Sequence, residues 1–329
     1  MGIDQITWSI INSEENANIL KRFSHSGLVT TASSDNLTTD SAASATSMAT
    51  GIKTKNNFLG IDANEKPLKN LFEIAREKNY ATGFVVTSSA LHATPAAFYA
   101  KINDRSKYYE IAEQLTNSKI DFFVGGGSTY FNEKNLTRLK EQNYSTYFDL
   151  NDFITNHGKK DKVAFFAAKN HLPRADSNNK EEQYLRQHFL NKTSASALQF
   201  LSNKSNKNFI LLIEGSQIDF AGHRNDLEYL EAEMNDFFKS IKIALDFAKK
   251  DGNTLVILTA DHETGAFSLG AKKNLLGKYG DIKPHFSTTG HSASIVPVFA
   301  FGPNSEKFSG LYDNSKIFNK INETLQNSH

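Results

Sequence analysis

The sequence predicts an α/β fold in which a largely parallel central sheet is covered by helices on both faces, a three-layer sandwich. Short runs of β-branched and aromatic residues alternate along the chain with segments whose apolar residues recur at helical spacing. The segments 209–219 and 254–263 begin with the near-continuous apolar runs FILLI and TLVIL. Such runs are typical of strands that are buried on both faces of a parallel sheet.

The individual elements follow from local patterns in chain order. Strands are expected at 81–89, 120–127, 209–219, 254–263 and 295–303, and helices at 68–78 and after residue 227. The helix after residue 227 is the best defined, because Leu230, Met234, Phe237 and Ile241 recur at helical spacing and Gly252 follows the end of the pattern.

Two polar segments separate these elements. Residues 170–183 are expected to form an exposed excursion, and residues 269–290 an irregular insertion before the last strand. No internal repeat and no long linker divides the chain. A single domain over residues 1–329 is therefore the simplest organisation.

Composition excludes several classes of function. The chain has 329 residues, and 37 Lys and Arg against 36 Asp and Glu give a formal charge of +1. This balance argues against a nucleic-acid partner, and no apolar run is long enough to predict a membrane span. Because the chain has no cysteine, any metal would be held by carboxylates, imidazoles and hydroxyls.

Polar residues follow the apolar run of the strand expected after residue 209. The segment EGSQIDFAGH contains Glu214, Asp219 and His223. If this segment turns helical, Asp219 and His223 lie at i and i+4 on one face. Oxygen and imidazole ligands suit zinc, although an ordinary solvated loop would carry the same residues.

Two further clusters lie at strand boundaries. TADHETG places Asp261 and His262 directly after an apolar run, and GHSAS places His291 just before the last strand. Taken singly, these residues also fit a strand-end cap and a structural histidine. Ligands of open parallel sheets bind outside the carboxyl ends of the strands, so clusters repeated at such boundaries favour one shared site.

The segment TTDSAASATSMATG (38–51) consists almost entirely of small residues. It predicts a helix with a small first turn that ends at Gly51. The free N–H groups at such a helix start favour an anion, so Ser41 is a candidate nucleophile. The alternative is that Ser41 caps a tightly packed helix.

A third segment, HATPAAFYAKINDR, follows the strand expected at 81–89. It contains His92 and Thr94, and Pro95 is expected to open a helix. Arg105 lies eleven residues beyond Thr94. On such a helix Arg105 either points back to the same edge of the sheet or faces solvent.

Together these segments resemble the alkaline phosphatase family, over essentially the whole chain. The resemblance rests on TDSAASATSMATGIKTKNNFLGID (39–62), HATPAAFYAKINDR, FVGGG (123–127), EGSQIDFAGH, TADHETG and GHSAS, in the order in which the family has them. It implies metal-dependent hydrolysis of small phosphate monoesters, with release of inorganic phosphate. Ser41 would form a phosphoserine, and Arg105, oriented by Asp40, would bind two phosphoryl oxygens.

The resemblance also implies three metal ions. One zinc would be held by Asp219, His223 and His291, and a second zinc by Asp261 and His262. A third ion, usually magnesium, would be held by Glu214 and Thr94. His92 stands where family members have Asp or His, which makes the identity of the third ion less certain.

Location and assembly are implied by the same resemblance. It suggests a periplasmic or secreted protein. The insertion at 265–290 is a short, crown-like one compared with larger relatives, so a homodimer is left open.

One family segment has no counterpart. Family members carry Gly-Asp-Gly-Met-Gly at the end of their first strand, whereas this sequence begins at Met1 and Gly2. We expect an N-terminally truncated domain with exposed apolar strand edges, weak binding of the second zinc and of magnesium, and poor activity. A non-catalytic phosphate- or metal-binding relative and a phosphodiesterase of the same superfamily are the alternatives, although Ser41 and Arg105 favour monoesters.

Overall fold

The computed structural model describes residues 1–204, 208–271 and 282–327. The strands are β1 (His25–Thr30), β2 (Ala81–Ser89), β3 (Phe122–Gly126), β4 (Tyr144–Tyr147), β5 (Lys162–Phe166), β6 (Phe209–Glu214), β7 (Val256–Leu258), β8 (Glu263–Thr264), β9 (Ser268–Ala271), β10 (Ile282–His285), β11 (His291–Ser292), β12 (Val296–Phe301) and β13 (Gly310–Asp313). The helices are α1 (Ile3–Asn12), α2 (Glu14–Leu20), α3 (Ser41–Thr50), α4 (Leu71–Glu77), α5 (Ala93–Ala96), α6 (Tyr108–Asn117), α7 (Glu133–Glu141), α8 (Leu150–Asn156), α9 (Lys180–Lys204), α10 (Gln217–Arg224), α11 (Leu227–Asp251) and α12 (Ser315–Asn327).

A five-stranded, fully parallel sheet confirms the predicted fold class. Its strand order is β4-β5-β3-β2-β6, and every neighbouring pair is parallel. Side chains alternate between its faces. Phe122 and Val124 of β3 join the core that α9 covers, whereas Phe123 joins the core that α4 covers. The sheet is therefore the middle layer between two apolar cores.

A second, four-stranded sheet is mixed and not parallel throughout. Its order is β13-β1-β12-β7, in which β1 pairs with β13 in parallel, while β12 is antiparallel to both β1 and β7. Parallel neighbours need a long crossover, usually a helix. The described chain between β7 and β12 contains only short strands, which explains the antiparallel return of β12.

The strands β6 and β7 each lie at one end of their sheet. Each is hydrogen-bonded to one neighbouring strand, β2 and β12 respectively. Ile210, Leu212 and Ile257 on these strands are half-buried. Among the described residues, no helix combines the length and the apolar composition that a membrane crossing requires.

The insertion before the last strand is more regular than predicted. β9 and β10 form a two-stranded antiparallel ribbon, and β8 and β11 form another at its base. Residues 272–281, the middle of the insertion, lie outside the described residues. The short pairing of β8 with β11 brings His291 opposite Thr264, so the insertion returns the chain to the segment from which it left.

The prediction of an exposed excursion at 170–183 is wrong in its first half and at its end. Leu172 is buried, and the backbone N–H of Ala175 donates to Glu233 Oε1 at 2.8 Å. The segment is held by contacts with residues far along the chain, which local polarity does not reveal. Its last residues, from Lys180 on, belong to α9.

A buried ionic cluster holds residues 170–177 in place. Arg186 is 1% exposed, and its Nη2 donates to Glu233 Oε2 at 2.7 Å and to Asp236 Oδ2 at 3.0 Å. Its Nη1 donates to the carbonyl oxygen of Pro173 at 2.6 Å. The guanidinium thus joins α9 to α11 and to the 170–177 segment, in a place where an unpaired charge would be costly.

We predict that Arg186→Leu lowers the free energy of unfolding by about 3–5 kcal/mol, because it leaves two buried carboxylates without a cation. Urea unfolding measures the change. Arg22→Leu is the control: Arg22 pairs with Asp246 at 2.8 Å near the surface, and its loss should cost about 0–1 kcal/mol. Equal losses of unfolding free energy in Arg186→Leu and Arg22→Leu would contradict this role of Arg186.

Candidate active site and metal centre

Ser41 is the first residue of α3 and points into the protein. Asp40 is the N-cap, since its Oδ1 accepts from the backbone N–H of Ala43 at 2.9 Å. The reading of Ser41 as the cap is therefore wrong, and its hydroxyl is left for other contacts. The helix ends at Gly51 as predicted, with a positive φ of 76°. Small residues let the buried α3 lie close to the neighbouring α5.

Asp40 also holds Arg105. Its Oδ2 accepts from the backbone N–H of Asn57 at 3.0 Å and from Arg105 Nη1 at 3.1 Å. The predicted helix from Pro95 to Arg105 is wrong, because α5 ends at Ala96 and the chain then turns. Arg105 nevertheless points to the site. Its position is set by the long-range contacts of its backbone and side chain.

Asp219, His223 and His291 form a cluster with the spacing of a metal site. The helix α10 puts Asp219 and His223 one turn apart, as predicted, and β11 delivers His291. Their ligand atoms all lie within 4.8 Å of one another. His223 Nε2 lies 3.4 Å from Asp219 Oδ2, and His291 Nε2 lies 3.5 Å from Asp219 Oδ1.

Backbone carbonyls orient both histidines. His223 Nδ1 donates to the carbonyl oxygen of Thr289 at 2.6 Å, and His291 Nδ1 donates to that of Thr39 at 2.8 Å. A carbonyl oxygen only accepts, so each hydrogen sits on Nδ1 and each Nε2 faces the cluster. One carboxylate and two imidazole nitrogens fit zinc.

In the metal-free chain the contacts with Asp219 favour the protonated forms of His223 and His291. The hydrogen bond and charge of Asp219 raise the pKa of His223 to about 9. The pKa of His291 is also raised: burial opposes this shift, but the contact with Asp219 outweighs burial. For Asp219, burial alone would raise the pKa, yet the hydrogen bonds from the two histidines hold it well below its usual value.

Asp261 and His262 follow β7 and lie beside Ser41. His262 is buried and Asp261 is half-buried, and His262 Nε2 lies 3.0 Å from Ser41 Oγ and 3.0 Å from Asp261 Oδ2. The ring of His262 stacks on that of His291 with centroids 3.5 Å apart. This stacking makes the two predicted zinc-binding groups adjacent. The amino-terminal nitrogen of Met1 also donates to the carbonyl oxygen of His262 at 2.6 Å.

Thr264 is a residue of this site that sequence reasoning missed. Its hydroxyl donates to Asp219 Oδ1, and its oxygen lies 3.2 Å from His262 Nδ1. A hydroxyl that donates to a carboxylate can only accept from the imidazole, so it fixes the Nδ1 hydrogen of His262. The period-two alternation in TADHETG was the available signal, because it places Thr264 on the same side as His262.

Glu214 and Thr94, two of the residues predicted for the third ion, lie near each other. Burial raises the pKa of Glu214 to about 7, and the neighbouring Asp261 and Asp219 add to the shift. The Thr94 hydroxyl is buried without a well-formed hydrogen bond among the described residues, yet it lies close enough to Glu214 to lower that carboxyl's pKa. A half-buried carboxyl beside this hydroxyl fits an oxygen-ligated cation such as magnesium.

His92 contacts Arg105 directly. Its Nε2 lies 3.1 Å from Arg105 Nη2 and must accept, since guanidinium groups only donate. Burial, followed by the charge of Arg105, lowers the pKa of His92 to about 3. His171, also missed from the sequence, meets the His92 ring edge-on, and its Nδ1 accepts from the Ser89 N–H at 3.0 Å. His92 is thus a neutral partner of Arg105.

A family model described as alkaline phosphatase matches residues 9–285. The chain belongs to the alkaline phosphatase family. "Alkaline phosphatase 4" of Bacillus subtilis (strain 168) is 32% identical over an alignment 360 positions long, which covers 88% of this chain and 77% of that protein. The structure of the alkaline phosphatase from the Antarctic bacterium TAB5 superposes with a TM-score of 0.90 at 41% identity, over 99% of this chain and 95% of that one.

A His-to-Asp variant of the TAB5 enzyme, described with Mg bound in its M3 site, matches equally well: its TM-score is 0.90 and its identity 41%, over 99% of this chain and 95% of that one. Family and fold together establish this member as a phosphatase.

We predict that the metal-free fold loses stability as pH rises through about 9. The pKa of His223 is raised from 6.5 to about 9, so its proton stabilises the fold fully below about pH 6.5 and is lost above about 9. Urea unfolding in chelator, compared at these two ends, measures the effect. His223→Asn should flatten the slope, whereas His285→Asn, at an exposed position, should keep it. An unchanged slope in His223→Asn would contradict the prediction.

Proposed function

We propose that this phosphatase hydrolyses phosphate monoesters through a phosphoserine on Ser41. One observation carries the proposal: Ser41 Oγ, at the start of α3, lies 3.0 Å from His262 Nε2, and Asp40, which caps the same helix, also holds Arg105. A nucleophile, an arginine and a helix start thus converge where a dianionic phosphoryl group would bind.

The chain's own groups account for the proposed displacement. Ser41 Oγ would lose its proton and form a bond to phosphorus while the bond to the alcohol oxygen breaks and that oxygen takes up a proton. Water would then cleave the phosphoserine, return a proton to Ser41 Oγ and release inorganic phosphate. Arg105 has N–H groups beyond those used by Asp40 and His92, and they would donate to the equatorial oxygens. The α3 N–H groups would favour the same negative charge.

We further propose three cation sites. Asp219, His223 and His291 would hold one zinc and Asp261 with His262 a second, while Glu214 and Thr94, with His92 beside them, would hold magnesium. The donor sets support this proposal, and so does the TAB5 variant described with Mg bound. Zinc bound here would polarise the phosphoryl oxygens and lower the pKa of the Ser41 hydroxyl and of water. Homodimerisation and a periplasmic or secreted location stay predictions.

Ser41→Ala should lower kcat by roughly 10³-fold or more, because no other hydroxyl takes the place of the nucleophile. Release of an aryl alcohol from its phosphate ester measures the rate. In the parent chain, acid quenching followed by mass spectrometry should find one phosphoryl group on the peptide that contains Ser41. Undiminished turnover in Ser41→Ala, or a phosphoryl group elsewhere, would contradict the mechanism.

Arg105→Ala should lower kcat/KM for monoesters by about 10²–10³ and weaken inhibition by inorganic phosphate, because the site loses its guanidinium donors. Arg105→Lys is the matched control, because it keeps the positive charge but not the planar pair of donors. Its kcat/KM should fall between those of the parent chain and of Arg105→Ala. The parent chain should prefer monoesters to diesters. A preference for diesters, or unchanged phosphate inhibition in Arg105→Ala, would argue for the phosphodiesterase alternative.

A further inference from the structure

We propose that Asn314 and Ser44 are positioning residues that hold the nucleophile helix α3 against the segment that carries Asp261 and His262. This inference rests on the proposed function. Neither residue has been given a role in the proposed chemistry: Ser44 lies one turn beyond Ser41 in the same helix, and Asn314 lies between β13 and α12, 270 positions from Ser44.

A buried chain of hydrogen bonds joins these elements. Asn314 Nδ2 donates to Ser44 Oγ at 2.8 Å, and Ser44 Oγ donates to the carbonyl oxygen of Asp261 at 2.7 Å. Asn314 is 0% exposed and Ser44 is 1% exposed. Without competing water, each bond is expensive to lose, because its partner is left buried and unpaired.

The direction of the chain is fixed by its ends. The Asp261 carbonyl oxygen only accepts, so the single hydroxyl hydrogen of Ser44 points to it, and the group on the other side of Ser44 must be a donor. The backbone of Asn314 is itself fixed, because its N–H donates to the carbonyl oxygen of Thr30 at 3.0 Å and its own carbonyl accepts from Ile317 at 3.1 Å. Asn314 therefore holds the Ser44 hydroxyl in one orientation.

This tie, the hydrogen bond of Ser44 Oγ to the Asp261 carbonyl oxygen, differs from the contact of Ser41 with His262, which also joins α3 to the segment that carries Asp261 and His262. The contact of Ser41 with His262 uses Oγ and Nε2, which are the atoms that the proposed phosphoryl transfer and zinc binding require. The Ser44 bond to the Asp261 backbone uses neither. It can persist during turnover and keep Ser41 at a constant distance from the Asp261 and His262 side chains.

Two readouts test the tie in the full chain, with Ser47→Ala as the matched control. Ser47 is also buried in α3, but its hydroxyl donates within the helix, to Ala43 at 2.9 Å. Ser44→Ala should speed hydrogen exchange of residues 259–264 in the metal-free chain. It should also lower kcat for an aryl phosphate about 10-fold with KM nearly unchanged, as for other residues that orient ligands. Ser47→Ala should do neither, and Ser44→Thr, which keeps the hydroxyl, should recover the rate.

Asn314→Leu provides a second variant with α3 intact and should change both readouts in the same direction. Equal effects of Ser44→Ala and Ser47→Ala on exchange, or faster exchange without a fall in kcat, would overturn the proposal. A parent chain that does not hydrolyse phosphate esters would contradict the proposed function instead, and the tie would then be decided by hydrogen exchange, which needs neither metal nor turnover.

Discussion

The site depends on three carboxylates, Glu214, Asp219 and Asp261, that the fold brings close together and partly buries. Burial raises the pKa of Glu214 to about 7, and the nearby Asp261 and Asp219 add to that shift. Buried negative charges persist only when they are compensated. In the metal-free protein the compensation comes from His223 and His291, whose raised pKa favours their protonated forms, and from hydrogen bonds. The same surplus of negative charge is what prepares the site for cations.

The backbone brings these groups together by ending apolar strands at one place. Glu214 is the last residue of β6, and Asp261 follows the end of β7, so the two sheets deliver their acids to neighbouring positions. The helix α3 then adds a hydroxyl and a positive helix end, and Asp40 ties Arg105 to that helix. The halves of the site that are proposed to bind cations and the phosphoryl anion thus meet at Ser41 and His262.

The sequence predicted the side chains that lie at element ends, because a change from apolar to polar residues is visible locally. Asp219 and His223 were expected one helical turn apart, and the structure places them so on α10. Local patterns did not reveal His171 or Asn314. Their partners lie far away in sequence, and ordinary loop and strand positions would carry the same residue types.

Zinc binding tests most directly whether protons occupy the site until a cation replaces them. Calorimetric titration of the metal-free chain with zinc, repeated at one pH in buffers of different ionisation enthalpy, counts the protons released. With the pKa of His223 raised to about 9, we predict that at about pH 7 the first zinc releases about one proton or more, and that fewer are released above pH 9. A heat of binding that does not depend on the buffer at about pH 7 would contradict this account.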